Sequence, residues 1–581
     1  MTSILRLAAC ALALHAAPLL AGDRPGDPPF QSRSAAVGLN GMAATAQPLA
    51  TEAALEILRA GGSAVDAAIA ANAVLGLVEP TGNGIGGDLF ALVWDPATRT
   101  VVGLDASGFA PRGLDVAALR ARHPGGSIDA AGMDAITVPG TVAGWDALHQ
   151  RFGRLPLSRV LAPAVRHARE GFAVTPVIAR GWRANLAGFK AREARIPDAP
   201  LAFTLYAPGG AAPVAGERFT NPDLAATLEA IGKGGAAAFY RGAFGRDLEA
   251  HFSAHGKAMA ASDLAAMKAE WVTPISAPYR DAVLYQIPPA TQGVSTLQIA
   301  RIVERFPMAE LSEADRVHVL VEAKKLAFAD RARYLADPRA AKVPVSALLS
   351  DAYIAKRAAL IRMDRALPDD VPAGDPEEHS DTTFLATADS SGMMVSLIQS
   401  NYRGMGSGVV VPRRRPVAGG RGTWGFMLHN RGAQFSLNPA SPNMIAPGKR
   451  PFHTIIPGMA TRNGAPWLAF GVMGGTMQPQ GQVQIMVNLI DLKLDLQAAG
   501  DAPRVRHLGS PDPGEGRETT PGIFLESGIG AETRAALKAR GHVILETHQD
   551  VGGYQAVMWD AGRRAWWGAT EMRKDGVALG Y

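Results

Sequence analysis

The sequence predicts an α+β fold. Helical patterns crowd the first two-thirds of the chain, strand patterns dominate after Thr382, and no fixed-period repeat runs through it. The lack of a period excludes solenoids and propellers, and segregated helix and strand patterns favour sheets with helices packed on them. The elements follow in order. Residues 51–60 (TEAALEILRA) are amphipathic, Gly61-Gly62 stops that pattern, and Ser63 caps a second helix, AVDAAIAANAVLGLV. The second helix is apolar on nearly every face and is therefore expected in the interior. The loop Thr81-Gly82-Asn83-Gly84-Ile85-Gly86-Gly87-Asp88 comes next, then strands expected over 89–94 and 101–104. Further helices are expected over 141–151, 157–170, 221–231 and 314–333. Residues 372–379 are acidic, proline-containing and aperiodic, an exposed connection. After them strands are expected over 395–399, 425–428, 467–472 and 555–559, with one helix over 480–492.

Composition bounds the class. Of 581 residues 47% are hydrophobic, enough for a large core, while 64 glycines and 41 prolines point to many turns and close backbone approaches. The net charge of +5 is the difference of 58 basic and 53 acidic residues. With no basic helix or aromatic-basic platform, it gives no argument for nucleic acid. Arg6 followed by the apolar run 7–21 (LAACALALHAAPLLA) has the form of a signal peptide cut near Ala21, too short for a membrane span. Leu7-Ala8-Ala9-Cys10 has the form of a lipoprotein box, but only nine residues precede Cys10 and most of the apolar run follows it. A cleaved leader and a periplasmic or secreted protein are the expectation. Cys10 is the one cysteine, so the mature chain is expected to have no disulfide, thiol nucleophile or Cys-ligated metal.

The chemistry is concentrated in Ser380-Asp381-Thr382-Thr383-Phe384-Leu385-Ala386-Thr387-Ala388-Asp389. A strand pattern after the Asp-Thr step, the turn Ser390-Ser391-Gly392 and a second run over 393–400 (MMVSLIQS) read as a hairpin of half-buried strands. Taken alone, Asp-Thr-Thr before a strand is an ordinary strand edge. The surrounding words are DTTFLATADSSGMMVSLIQSNYRGMGSGVVVP, FMLHNRGAQFSL, APGKRPFHTIIP and FGVMGGTMQPQGQVQ. These resemble the small subunit of the gamma-glutamyltranspeptidase family of N-terminal-nucleophile (Ntn) hydrolases. The resemblance continues from GMAATAQPLATEAALEILRAGGSAVDAAIA through VPGTVAGW to the terminal MRKDGVALGY.

That resemblance implies a four-layer αββα sandwich and one structural unit made of interwoven large (22–381) and small (382–581) subunits, which associate as a heterodimer after self-cleavage. It makes Asp381–Thr382 the scissile bond and Thr382 the nucleophile. A terminal threonine carries its own base, because its α-amine titrates near pH 7.7–8.0, about the working range. The resemblance also places a second hydroxyl, on Ser400, near the nucleophile and an oxyanion hole at Gly474-Gly475, where unobstructed N–H groups receive the developing charge.

At the substrate pocket this chain departs from the family pattern. Ser107, in Asp105-Ala106-Ser107-Gly108-Phe109, stands where the family has an arginine for the glutamyl α-carboxylate. In Asn430-Arg431-Gly432-Ala433-Gln434, Gln434 stands where an acidic residue pairs with the α-amine. His453-Thr454 replaces twin serines, and Tyr402 replaces an asparagine. Losing both charges removes selection for a free α-amino acid head group. Arg431 and His453 are candidate replacements on an acidic acyl group. The competing readings are a loop salt bridge for Arg431 and a hydrogen-bonded, partly buried imidazole for His453; Phe109 reads as core. The segment between Ser436 and Lys449 is short, which implies an open site. Residues 413–422, with three consecutive arginines, read as a solvated loop or as a rim facing acidic substrates.

Other motifs fall away. Residues 82–87 match G-x-G-x-x-G, but they follow a helix and precede a strand, the reverse of a dinucleotide fingerprint. The 13 histidines show no metal-ligand spacing, so neither metal nor cofactor is expected. The expected activity is cleavage of gamma-glutamyl-type amides, with glutathione as default substrate, through an acyl-threonine resolved by water or an amine. The alternatives are a glutaryl- or cephalosporin-type acylase and an unprocessed, non-catalytic binding protein.

Overall fold

A computed structural model of the chain describes residues 27–372, 381–514 and 521–581. The leader assigned to residues 1–21 and all but the first residue of the aperiodic stretch 372–379 lie outside these. Two seven-stranded sheets, antiparallel at every pairing, organise the described residues. One runs Ala36–Gly38, Ala565–Thr570, Tyr554–Asp560, Ala465–Val472, Gly458–Arg462, Ala282–Gln286, Ile275–Tyr279. The other runs Val577–Gly580, Met42–Thr45, Asp381–Ala388, Met394–Tyr402, Asp88–Asp95, Thr100–Ala106, Glu270–Val272. Segments before and after residue 381 thus contribute strands to both sheets.

Period-two alternation directs the packing. From the second sheet Phe90, Leu92, Trp94, Phe384, Ala386, Met394 and Ile398 meet Met459, Ala469, Val557 and Trp566 of the first in one buried cluster. The intervening Leu89, Ala91, Val93, Leu385, Val395 and Leu397 pack on the opposite face with helices Pro48–Arg59, Ala64–Val78, Thr141–Phe152 and Leu157–Glu170. On the far face of the first sheet, Leu284, Leu468, Phe470 and Ala556 join helices Gly293–Val303, Glu313–Tyr334 and Met477–Met486.

This burial corrects the half-buried hairpin reading. All nine residues of Met394–Tyr402 and all eight of Asp88–Asp95 are buried, because apolar layers cover both faces of the central strands. Two helix expectations also change. The helix expected over 221–231 continues as Pro222–Tyr240, with a kink at Gly235, whose φ of 58° a glycine accepts. The helix expected from residue 480 begins at Met477 and gives way to a π-helical turn, Val487–Asp491. Ser63 caps Ala64–Val78 as expected, and Asp66 completes a reciprocal capping box. Residues 414–416 are exposed, but the loop around them is pinned. Arg414 bonds the buried Asp247, Arg421 N–H donates to Asp223, and Arg413 lies 4.3 Å over the Trp424 ring.

Candidate active site

The site begins where the central strands meet the glycine-rich loop. Asp381 pairs with Tyr402 and Thr383 with Gln399, so Ser400 and Asn401 lie opposite the single residue Thr382. A bulge of this kind bends its strand and re-aims side chains, and bulges concentrate near active sites. Ser400 is fully buried, stands in register with Asp88, and its Oγ accepts Tyr402 N–H at 2.8 Å. That turn holds Tyr402 at φ 78°, a left-handed conformation uncommon for a bulky residue.

The 81–88 loop fits closely around the same bulge. Asn83 Nδ2 donates to Glu79 O at 2.7 Å and to Thr383 Oγ1 at 3.0 Å. The Gln399 amide makes two bonds to Gly84, accepting its N–H at 3.0 Å and donating to its carbonyl at 2.6 Å. A Cβ on Gly87 would lie 2.4 Å from Ser400 O, so the glycine allows the loop to touch the bulged strand.

Asp88, which ends this loop and opens a strand, is the hub. Its Oδ1 accepts Gly108 N–H at 2.8 Å. Its Oδ2 faces His429 Nδ1 at 3.2 Å, Arg431 Nε at 3.6 Å and His453 Nδ1 at 4.0 Å, all four groups being fully buried. Burial opposes the Asp88 charge, but His429, then His453 and Arg431, outweigh it and hold the carboxyl below the usual carboxylate range. Burial pulls Arg431 down to about 10, with Asp88 opposing, so its guanidinium stays charged at neutral pH. Burial also drives His453 well below the ordinary imidazole value.

Arg431 gathers the predicted pocket residues. Its Nη1 donates to Gln434 Oε1 and to Thr454 Oγ1, each at 3.2 Å, and its guanidinium lies 4.9 Å from the Tyr402 ring centroid. Nη2 is buried and makes no hydrogen bond among the described residues. His453 sits edge-on to Phe90 at 5.1 Å, with neither ring nitrogen hydrogen-bonded among the described residues. The loop-salt-bridge and partly buried readings of these two side chains are thus replaced by full burial around Asp88.

Gly474 and Gly475, at φ 98° and 57°, form the turn leading into Met477–Met486. Gln292 ties this turn to the pocket, its Nε2 donating to both Thr454 O at 2.5 Å and Gly475 O at 2.9 Å. Gln292 is in turn held by the buried Arg331 at 2.7 Å.

Two predicted pocket residues are engaged elsewhere. Ser107 Oγ donates to Asp105 Oδ1 at 2.6 Å and lies 3.5 Å from Arg450 Nη1; only the next residue, Gly108, reaches Asp88. The Asn430 side chain bonds the backbone of Arg403 and Gly406 and shapes the turn after Tyr402. Phe109 is buried in the helical core, as expected.

Sequence reasoning missed Asp88, His429, Gln292 and Asn443. Asn443 Nδ2 donates to Gln434 O at 2.7 Å and to Pro513 O at 2.9 Å, which anchors the short 436–449 segment. The available signal was an aspartate directly before the apolar run LFALVW, a position that buries its carboxylate.

Interwoven antiparallel sheets, a bulge opposite an internal Asp-Thr step and a buried cationic pocket define an enzyme of the N-terminal-nucleophile hydrolase class. The chain belongs to the gamma-glutamyltranspeptidase family, whose model matches residues 50–581. A glutathione hydrolase-like proenzyme of Bacillus subtilis is 34% identical over 554 residues, covering 94% of this chain and 99% of its own. An oxamate amidohydrolase proenzyme of Klebsiella pneumoniae is 35% identical, covering 94% of this chain and 100% of its own. Among solved structures, a cephalosporin acylase from Bacillus halodurans superposes with a TM-score of 0.85 at 40% identity, over 96% of this chain and 99% of that one.

Proposed function

We propose that this protein is a self-processing acylase for amides of dicarboxylic acids, glutaryl-type rather than gamma-glutamyl-type. The observation that carries the reading is Arg431, a buried guanidinium whose Nη2 edge has no hydrogen-bond partner among the described residues. A carboxylate on the acyl group satisfies that edge by charge-assisted bonds. Opposite it stands Gln434, an amide with no charge to pair with an α-ammonium group. Ser107 faces Asp105 and supplies no cation for an α-carboxylate. Similarity to a cephalosporin acylase supports the same choice. The glutathione hydrolase reading retains the support of relatives named for that activity.

In this reading the two sheets and their helical layers are the four-layer αββα sandwich of the Ntn type. Residues 1–21 direct export to the periplasm or medium. Thr382 Oγ attacks the Asp381 carbonyl, an N-to-O acyl shift gives an ester, and water hydrolyses it to an Asp381 carboxylate and a free Thr382 amine. The resulting large and small subunits stay associated. In turnover the α-amine takes the hydroxyl proton as Oγ attacks the substrate amide, Gly474 and Gly475 N–H groups receive the oxyanion, and the amine product leaves. Water or an acceptor amine then releases the acyl group. Ser400 holds the bulged Tyr402 turn beside the nucleophile.

Release of glutarate and of glutamate from matched anilides tests the substrate, with glutarate expected to be released faster. The processing claim is tested by intact mass and N-terminal sequencing. Wild type should give a small subunit beginning at Thr382, and Thr382→Ala should stay whole. A wild-type protein that remains a single chain and is inactive on both anilides would establish the non-catalytic alternative.

A further inference from the structure

We propose a divalent transition-metal site, zinc foremost, formed by Asp198, His251 and His255 on the rim of the molecule, independent of the acylase reading. The two histidines stand four residues apart at the C-terminal end of helix Ala243–Ala254, with His255 as its cap. This spacing puts both rings on one face. Asp198 comes from a different segment, where it caps helix Ala199–Tyr206 at φ 51°. This corrects the expectation that the histidines show no ligand spacing: His251 and His255 have it in the sequence, and only the third ligand, Asp198, arrives from a distant part of the chain.

The geometry favours a cation over a direct ion pair. Asp198 Oδ2 lies 3.4 Å from His251 Nδ1 and 3.7 Å from His255 Nε2. Charge-assisted N–H···O bonds close to about 2.7–2.9 Å. Ligands bound at about 2.0–2.2 Å on a tetrahedral ion stand about 3.3–3.6 Å apart, near the observed spacing.

The tautomer supplies a second, independent observation. His255 Nδ1 lies 2.9 Å from the His251 carbonyl oxygen. A carbonyl only accepts, so Nδ1 carries a proton; in the Nδ1–H tautomer Nε2 is the lone-pair nitrogen, and it is the one that faces the carboxylate. Two acceptors then face each other, an arrangement that a metal ion resolves. An N–H···O=C bond from the non-ligating nitrogen is the usual orienting partner of a metal-bound histidine. The His251 side chain is nearly buried, 3% exposed, so its Nδ1 is held in place facing the carboxylate. Asp198 and His255 remain partly exposed, leaving a path for the ion and room for a water as fourth ligand.

The other group of candidate ligands, His318, Glu322 and His542, is less suited. Its two imidazoles are already 2.7 Å apart in a hydrogen bond, and Lys325 takes Glu322 at 3.1 Å. Metal at Asp198 would fasten a specific wall. The preceding Arg195 and Pro197 line a cleft of about 680 Å3 together with Arg403, the residue after Tyr402. Ile196 packs where a side chain on Gly408 would stand.

The test uses the full processed protein without a histidine tag, stripped with chelator. Zn2+ is titrated by calorimetry, and Co2+ is followed by its visible absorption. Wild type should bind one Zn2+ saturably and give the intense band of low-coordinate Co2+. Asp198→Asn and His255→Ala should each weaken Zn2+ binding by about tenfold or more and remove the band, while His542→Ala should change neither. Absence of saturable Zn2+ binding in wild type would overturn the proposal. So would binding that survives unchanged in both Asp198→Asn and His255→Ala, or that is lost only in His542→Ala. The Asn variant keeps the size of the side chain, so a folding defect in His255→Ala leaves the test intact.

Discussion

Restoring an acidic side chain at Gln434 should invert acyl-group preference. Gln434→Glu is isosteric and puts a carboxylate oxygen where Oε1 now stands, 3.2 Å from Arg431 Nη1. At that distance and an effective dielectric constant of about 20, the gross attraction is about 5 kcal/mol. Burying the new carboxylate takes back several kcal/mol. The net gain should be that of a charge-assisted hydrogen bond, about 1.5–3 kcal/mol. Occupied in this way, Arg431 loses a comparable amount of attraction for a glutaryl carboxylate, about 10- to 150-fold in kcat/KM. The same carboxylate offers an α-ammonium group the partner it now lacks, an effect of similar size and opposite direction for glutamyl substrates. The glutaryl-to-glutamyl ratio of kcat/KM should therefore fall by about 100-fold or more. The assay is initial-rate release of p-nitroaniline from glutaryl and gamma-glutamyl anilides by fully processed enzyme. A butyryl anilide serves as neutral control and should change little. A ratio within about threefold of wild type, with processing intact, would refute the assignment of Arg431 as the acyl-carboxylate anchor.

Three further outcomes are expected. Asp88→Asn leaves the buried Arg431 without its counter-charge, so the protein should lose about 3–5 kcal/mol of stability at neutral pH, measured by urea unfolding. That difference should also depend on pH. The folded carboxyl titrates below the unfolded value of about 3.9, so its contribution is present above that pH and is lost as pH falls through the folded pKa; a wild-type–Asp88→Asn gap that shrinks instead between pH 5 and 8 would contradict it. Gly474→Ala forces a β-carbon onto φ 98° and within 3.2 Å of Gly552 Cα. It should cost about 1–3 kcal/mol by thermal unfolding and, if the Gly474 N–H serves the oxyanion, lower kcat by about 100-fold with little change in KM.

What the sequence disclosed, and what it withheld, follows from the range of the interactions involved. The strand beginning at Asp381, the cap at Ser63 and the core position of Phe109 depend on local chemistry and patterning, and they were legible. The Gly474-Gly475 pair stood out only through the family resemblance, and the helix after it starts three residues earlier than its periodicity suggested. Asp88 was not legible as a hub, because an aspartate after Gly86-Gly87 has the form of a loop end. Its role depends on Ser400, His429, Arg431 and His453 arriving from far along the chain. Arg431 was singled out as a candidate cation for an acidic acyl group, but its burial was not visible, since a charge in a glycine-containing turn ordinarily sits in water. Full burial of the central strands was hidden for a related reason. Apolar runs with embedded Ser, Gln and Asn resemble one-sided strands until the second sheet covers them.

The position of the proposed cut has a consequence for stability. Asp381–Ala388 is an interior strand, paired over 385–388 with Met42–Thr45 and, at 381 and over 383–388, with Met394–Tyr402. Breaking the chain at its first peptide bond leaves the pairings from Thr383 onward intact, and Phe384, Leu385, Ala386 and Ala388 stay in their apolar clusters. Because both segments contribute strands to both sheets, the pieces are held by the same packing that held the precursor, with no dedicated interface. Separation of the subunits should therefore require unfolding. At micromolar concentration processed wild type should have a lower urea midpoint than uncleaved Thr382→Ala, and its midpoint should rise with protein concentration while that of the single chain does not, as expected when unfolding releases two chains. A processed enzyme whose subunits part under conditions that leave the circular dichroism of both unchanged would show that the layers are two domains in contact and not one interwoven unit.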